Sequence, residues 1–211
     1  MGESAAQRTR DQREADAASV STSPERERLL GLVTDLILRD GVIDLSLSAI
    51  GRGIGSNNRM LLYYFGSKEK LLHEASLVAF ERFPRLGSMF ARLAAPGELA
   101  DRLDAAWEDL AAEENRPYIA LFFQRFGIAM RDREQWHAYV DRSTHYWAED
   151  LADILRDEGS SPGDALALAT QIVALWRGLQ LALLADGDEA LLRTAYRAGV
   201  RALLAGDFSR R

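Results

Sequence analysis

Apolar residues recur along most of the chain every three to four positions, the period of a helix that buries one face. The first run begins after Ser23 and Pro24, a capping hydroxyl followed by a ring whose fixed φ suits the first helical position. It ends at Gly41, a residue suited to the left-handed conformation that closes a helix. Later runs predict helices at about 46–52, 57–64, 67–82, 86–94, 98–113, 117–130, 133–157, 163–185 and 188–205. Because no alternating β-branched run appears in the sequence, we predict an all-α protein.

The pattern divides the chain into three regions. Residues 1–22 are polar and have no hydrophobic period, so we expect a flexible tail. Residues 23–73 predict a small domain of three helices that ends in a helix-turn-helix. Residues 74–211 predict a larger helical domain, which we expect to bind a small molecule and to dimerise.

The helix-turn-helix prediction rests on residues 46–65, which read SLSAIGRGIGSNNRMLLYYF. Ser46 and Asn57 are each placed to cap a short helix. Gly55 lies between the two helices, where a tight turn needs a positive φ. Gly51 has no side chain and permits the second helix to cross closely. Two short helices joined by a glycine turn are the unit that many proteins insert into the DNA major groove.

The second of these helices carries polar groups on its predicted outer face. Asn58, Arg59 and Tyr63 offer amide, guanidinium and phenol groups, which bind base edges and phosphates. Leu61, Leu62 and Phe65 are predicted to turn toward the core.

A phosphate site is predicted at the next helix. Ser67 caps it and Lys68 lies in its first turn, where free N–H groups and the helix dipole favour an anion.

Charge is distributed unevenly along the chain, whose formal net charge is −6. Residues 23–70 hold seven basic against six acidic side chains, whereas residues 71–211 hold sixteen against twenty-two. Residues 23–70 are therefore the only net-positive segment of the chain, and a site that binds a polyanion is expected there. Arg8, Arg10 and Arg13 also offer a basic arm for a minor groove, although acidic residues are mixed among them and favour plain disorder.

Residues 24–73 resemble the N-terminal domain of TetR-type transcriptional repressors. The resemblance rests on the order of a long helix followed by Gly41, Ser46, Ile50, Gly55, an aromatic pair, Phe65, Ser67-Lys68 and Leu71-Leu72. It implies a recognition helix from Asn57 to Tyr64, with Ser46, Tyr64 and Lys68 among the phosphate contacts. It also implies a homodimer that binds a palindromic site on double-stranded DNA and responds to a small-molecule effector.

Three positions depart from the pattern of that family. Gly51 stands where alanine is usual, and Ser56 stands where an apolar residue is usual. Leu62 occupies the position of a frequent phosphate-binding tyrosine, whose hydroxyl Tyr63 and Tyr64 could partly replace.

The larger domain holds most of the aromatic residues, in stripes at helical spacing. Such stripes are often ordinary core, but their density favours a cavity lined by aromatic and a few polar groups. The candidate ligand-binding residues are Phe122, Phe126, Gln124, Trp136, His137, Trp147 and Gln180, with His145 as a further polar candidate. We expect an apolar or aromatic effector of unknown identity.

The last two helices predict the dimer interface. The segment 165–185 is apolar almost all round, and the final helix carries a strip of small residues that permits close helix approach. The candidate interface residues are Leu168, Ile172, Leu179, Ala195, Ala198, Gly199 and Ala202. The alternative is that these residues form the core of a single chain.

Several classes of protein are excluded or disfavoured. The chain has no cysteine, which excludes disulfides and thiolate metal sites and suits a reducing cytoplasm. Glu134 and His137 have the spacing of half a di-iron site, but the second half is missing, so we expect no metal and no cofactor. No nucleophile elbow or P-loop is present, and we expect no enzyme. We also expect no membrane span.

The sequence therefore predicts a cytoplasmic, ligand-responsive repressor. The alternative from another class is a helical small-molecule-binding protein that no longer binds DNA, which Gly51, Ser56 and Leu62 keep open. A helical metalloenzyme built on Glu134 and His137 is a third and weaker hypothesis.

Overall fold

The computed structural model describes residues 23–131 and 145–206, and every regular element in those ranges is helical. This confirms the predicted all-α class. The helices are α1 (Pro24–Asp40), α2 (Leu47–Gly53), α3 (Asn58–Phe65), α4 (Lys68–Glu81), α5 (Pro84–Gly87), α6 (Met89–Leu93), α7 (Leu99–Ala111), α8 (Arg116–Arg131), α9 (Trp147–Asp157), α10 (Pro162–Leu184) and α11 (Glu189–Ala205), with a 3₁₀ turn at Glu113–Asn115.

Two predicted helices differ from the observed ones. The helix predicted at 86–94 is instead the pair α5 and α6, which meet at Ser88. The hydroxyl of Ser88 donates to the Pro84 carbonyl oxygen at 2.7 Å, a local bond that competes with regular helix geometry. Of the helix predicted at 133–157, the structure describes only α9 and the two residues before it.

The described residues form two compact units, which divide between Arg82 and Phe83. The sequence placed the boundary between residues 73 and 74, inside α4. The whole of α4 lies in the first unit because it packs along α1. Arg82, just after α4, also donates to Asp35 of α1 at 2.5 Å. The first unit therefore extends to Arg82, rather than to residue 73 as the sequence pattern suggested.

The core of the first unit lies between α1 and α4. Leu29 and Val33 of α1 and Leu71 and Ala75 of α4 are fully buried. The Thr34 hydroxyl is also buried, and it donates to the Leu30 carbonyl at 2.8 Å and reaches the Ala75 carbonyl at 3.3 Å. These contacts give α2 and α3 a rigid support.

Helix α10 is the central element of the second unit. It packs against α7, α8, α9 and α11. Its indole Trp176 is fully buried and donates to the Tyr196 hydroxyl of α11 at 3.3 Å. That hydroxyl donates in turn to the Leu103 carbonyl of α7 at 2.7 Å, and Trp107 stacks on the Tyr196 ring. One buried hydrogen-bond chain thus connects three helices.

By length and composition alone, α10 is also apolar enough to cross a membrane, with a mean hydropathy of 1.4 in its most apolar window. A core helix of a helical bundle has the same composition. Its packing against four other helices and the charged Arg177 near its middle favour that explanation.

Replacing Tyr196 with phenylalanine is expected to lower the free energy of unfolding by about 1–3 kcal/mol, because the indole N–H of Trp176 loses its acceptor. Burial raises the pKa of Tyr196. The folded protein therefore keeps this phenol neutral above about pH 10, where the unfolded chain ionises it, and stability falls by about 1.4 kcal/mol per pH unit. The variant should lose that alkaline slope.

Urea unfolding at pH 7 and at several pH values above 10 measures both effects. Tyr63→Phe is the matched control, because the Tyr63 side chain is exposed. If Tyr196→Phe and Tyr63→Phe unfold alike at every pH, the buried hydrogen-bond chain contributes nothing to stability.

Candidate nucleic-acid interface

The turn between α2 and α3 has the geometry of a tight helix-turn-helix. Gly55 has a φ of +67°, as the sequence predicted for a left-handed turn residue. The Ser56 amide donates to the Gly51 carbonyl at 2.8 Å. A Cβ added at Gly51 would lie only 3.2 Å from the Ser56 carbonyl oxygen. The glycine at 51 therefore permits the close approach of the segment that leads into α3.

Side chains cap the N-termini of α2, α3 and α4. The Ser46 hydroxyl accepts from the Ala49 amide at 3.1 Å, and the Asn57 side-chain oxygen accepts from the Met60 amide at 3.0 Å. The Ser67 hydroxyl accepts from the Lys70 amide at 3.2 Å. In each case the oxygen is used by the cap, while the hydroxyl hydrogen or the Asn57 amide hydrogens remain as donors. Such donors are suited to phosphate oxygens.

The exposed face of α3 carries four side chains: Asn58, Arg59, Leu62 and Tyr63. Leu61 and Phe65 fill the opposite, buried face. The prediction that Leu62 turns toward the core is wrong, since 45% of it is exposed. Only Leu61 and Phe65, which are four residues apart, form the buried face of α3. Leu62 is exposed because it lies about 100° away from Leu61 around the helix.

A hydrogen bond fixes the first residue of α3. The Asn58 side-chain amide donates to the Ser48 hydroxyl of α2 at 2.9 Å. Sequence reasoning missed Ser48 and also Arg52, an exposed cation one turn further along α2. Their i, i+4 spacing on a short helix is the signal that would have placed both on the same surface as Asn58.

Packing also positions the remaining predicted residues. The Tyr63 and Tyr64 rings meet edge to face with centroids 4.9 Å apart, and Tyr64 is half-buried beside Phe65. The Arg26 guanidinium lies 4.8 Å from the centre of the Phe65 ring and forms an ion pair with Glu74 of α4. These contacts hold α3 against α1 and α4.

Lys68 is half-buried at the first residue of α4, directly after the Ser67 cap. The structure thus brings the predicted residues at 46, 57, 58, 59, 63, 64 and 68 onto the caps and outer faces of three consecutive helices in one unit.

In the second unit, some of the predicted ligand-binding residues form an aromatic cluster around a cation. The Phe122 and Phe126 rings of α8 are stacked, with centroids 6.0 Å apart. The guanidinium carbon of Arg177 lies 5.5 Å from the Phe122 ring and 5.9 Å from the Phe126 and Trp147 rings. The sequence did not identify Arg177, because its aromatic neighbours are more than 25 residues away in the chain.

Three of the predicted polar residues lie in or next to these helices. Gln180, one turn after Arg177, is only 3% exposed, and no acceptor in the described part of the chain bonds its side-chain nitrogen. Gln124 of α8 is half-buried and His145 is exposed. Trp136 and His137 lie outside the described residues. The groups that remain for an effector site are therefore Phe122, Phe126, Gln124, Trp147 and Gln180.

The predicted dimer residues differ in burial. Leu168 and Ile172 are buried within their own chain, Leu179 is half-buried, and Ala195, Ala198 and Ala202 are exposed. Gly199 serves the packing of α11 on α10, since a Cβ there would lie 2.9 Å from Leu175 Cδ2. On α10 itself, Ala174, Gly178 and Leu181 are exposed.

Among residues 23–131 and 145–206, no three histidine or acidic side chains are grouped so as to hold a metal ion. Glu134 and His137, the basis of the weaker metalloenzyme hypothesis, lie outside those ranges.

Solved structures with the same fold include transcriptional regulators. One assigned to the TetR family, from Rhodococcus sp., superposes with a TM-score of 0.68 at 19% identity, covering 87% of this chain and 100% of its own. GusR of Salmonella enterica gives a TM-score of 0.65 at 19% identity, covering 86% of this chain and 95% of its own. A regulator from Pseudomonas aeruginosa PAO1 gives 0.66 at 24%, covering 89% and 95%. The resemblance to TetR-family regulators therefore extends, as a fold, over most of the chain.

No protein-family model and no curated protein sequence matches the chain. At these identities the shared property is the fold, and function has to be argued from the surfaces described above.

Proposed function

We propose that this protein is a transcriptional regulator that binds double-stranded DNA through α2, α3 and the start of α4. The observation that carries the proposal is the outer face of α3, where an amide, a guanidinium and a phenol are exposed together. These groups recognise base edges in the major groove, and an eight-residue helix held by a rigid support is the element that enters it. The fold shared with solved transcriptional regulators agrees with this role.

Phosphate contacts would place the helix in the groove. The donors on Ser46 and Asn57 and the cation on Lys68 lie at helix N-termini, where the backbone also favours an anion. Tyr64 and the exposed Arg52 extend this set. We assign phosphate binding to these residues and base recognition to Asn58, Arg59 and Tyr63.

The active species would be a homodimer on a palindromic operator. The exposed strip Ala195, Ala198 and Ala202 of α11, beside the exposed small residues of α10, permits a symmetric interface in which four helices meet. Two copies of α3 fit successive turns of the major groove when they are about 34–36 Å apart. A bound dimer would block transcription, which makes the protein a repressor.

A small apolar or aromatic effector would bind beside the Arg177 cluster. The rings of Phe122, Phe126 and Trp147 provide apolar contacts, and the buried Gln180 provides a donor. An effector that prefers a dimer with a different separation of its recognition helices lowers operator affinity by that preference, typically about 1–3 kcal/mol. The regulator would act in the cytoplasm.

Selection of bound fragments from random duplex DNA tests the proposal. We expect an enriched inverted repeat whose half-sites are about one helical turn apart. Enrichment of no sequence would favour the alternative, a helical small-molecule-binding protein that does not bind DNA. Thermal-shift screening with aromatic and aliphatic compounds, followed by operator titrations with each hit, then tests the effector.

A further inference from the structure

The exposed face of α3 contains one apolar side chain among polar ones. Leu62 is 45% exposed and follows Asn58 and Arg59 by one helical turn, so all three lie on the same side of the helix. Tyr63, the next residue, is 63% exposed but carries a phenol hydroxyl. The face therefore offers hydrogen-bonding groups at every exposed position except 62.

The major groove has one apolar group for such a side chain. Its base edges carry hydrogen-bond donors and acceptors, and only the C5 methyl of thymine offers an apolar contact. A leucine set against a polar base edge or a phosphate would remove water from polar groups without replacing their hydrogen bonds, which is unfavourable. A thymine methyl has no such cost and gains from being buried.

We propose that Leu62 determines specificity by contacting the methyl group of one thymine in each operator half-site. The inference rests on the proposed DNA-binding function. The position of α3 is fixed for this role: the Asn58 amide is bonded to Ser48, and Leu61 and Phe65 anchor the other face in the core. Leu62 therefore approaches the groove at a constant place relative to Asn58 and Arg59, so its thymine lies at a constant position in the half-site.

Replacing thymine by deoxyuridine tests the contact, because it removes only the methyl group and leaves base pairing intact. Each thymine of the selected operator is replaced in turn, symmetrically in both half-sites. At one position we expect the wild-type protein to lose about fourfold in affinity per half-site, or about 15-fold for the symmetric pair, from one buried methyl group each at about 0.8 kcal/mol. Leu62→Ala should bind the two duplexes with similar affinity.

Two further variants make the comparison specific. Leu77→Ala removes an equally exposed leucine from α4, and it should keep the full sensitivity to deoxyuridine. Leu62→Met keeps an apolar side chain at this position, so it should keep most of the sensitivity to deoxyuridine.

The outcomes separate the inference from the function on which it rests. Two results would show that Leu62 does not contact a thymine methyl group. In the first, an operator is bound but no thymine-to-deoxyuridine replacement lowers the affinity. In the second, one replacement lowers the affinity of wild type and of Leu62→Ala by the same factor. Either result leaves the proposed function intact. If no duplex is enriched or bound, both the proposed function and this inference are overturned.

Discussion

Replacing Ala198 with arginine is expected to convert the proposed dimer of twice 23.5 kDa into a monomer with a greatly reduced operator affinity. Ala198 is exposed on α11, in line with Ala195 and Ala202. Two copies that pack through small residues bring their helix backbones close together, and the long charged side chain of arginine cannot be accommodated there. The folded monomer should survive, because the position is not part of its core.

The loss of DNA affinity follows from linkage of the two half-sites. In a dimer, binding of one recognition helix holds the second near its own half-site, and such linkage contributes about 100-fold or more to the overall affinity. Sedimentation equilibrium at micromolar concentration measures assembly, and a titration with the selected duplex measures binding. Both should change together in Ala198→Arg and in Ala202→Arg.

Ala190→Arg provides the control on the same helix. Ala190 is also exposed, but it shares its side of α11 with Arg193 and Arg197, which form ion pairs with Glu108 and Asp104 of α7. The control should remain dimeric and bind DNA normally. A wild-type protein that is a stable monomer at micromolar concentration, or an Ala198→Arg variant that stays dimeric, would disprove this interface.

Local chemistry made part of the interface predictable from the sequence. The caps at Ser46, Asn57 and Ser67 and the positive φ at Gly55 were predicted and are present. Each depends on one residue and its neighbours within four positions. A short polar side chain followed by an apolar run, or a glycine between two such runs, is sufficient for such predictions.

Other features could not be predicted from the sequence, because they depend on which side of an almost wholly apolar helix is buried or on contacts between residues far apart in the chain. Segment 165–185 is apolar on nearly every side, so nothing in the pattern shows that Leu168 and Ile172 face their own chain. In the short α3, two adjacent leucines look equivalent, and only packing on α2 and α4 decides that Leu62 is the exposed one. Arg177 meets Phe122 from 55 residues away in the sequence, a contact that helical periodicity does not encode.

Arg59→Ala and Lys68→Ala are expected to weaken DNA binding in two different ways. Arg59 is exposed on the outer face of α3, where its guanidinium can reach a guanine edge. Its loss should cost about 1–3 kcal/mol on the selected operator and relax the preference at one base pair of each half-site. Lys68 starts α4 beside the Ser67 cap, so it should contact a phosphate. Its loss should weaken binding to every duplex by a similar factor.

Salt dependence distinguishes the two roles further. Each phosphate contact releases counterions, so Lys68→Ala should reduce the slope of log affinity against log salt by about 0.9 per half-site. Titrations of selected and scrambled duplexes at several salt concentrations measure both quantities. Lys70→Ala is the matched control, because it removes the same charge from the same helical turn at a position that faces solvent. It should change neither quantity by as much.

The comparison of the two duplexes decides which residues supply specificity. If Arg59→Ala loses the same factor on the selected and scrambled duplexes, Arg59 is a phosphate contact, and hydrogen-bond readout belongs to Asn58 or Tyr63. The bond from Asn58 to Ser48 makes the first of these the better positioned, since it fixes the amide before DNA arrives. If neither Arg59→Ala nor Lys68→Ala changes binding to any duplex, α3 is not the recognition helix, and the DNA-binding function itself has to be abandoned.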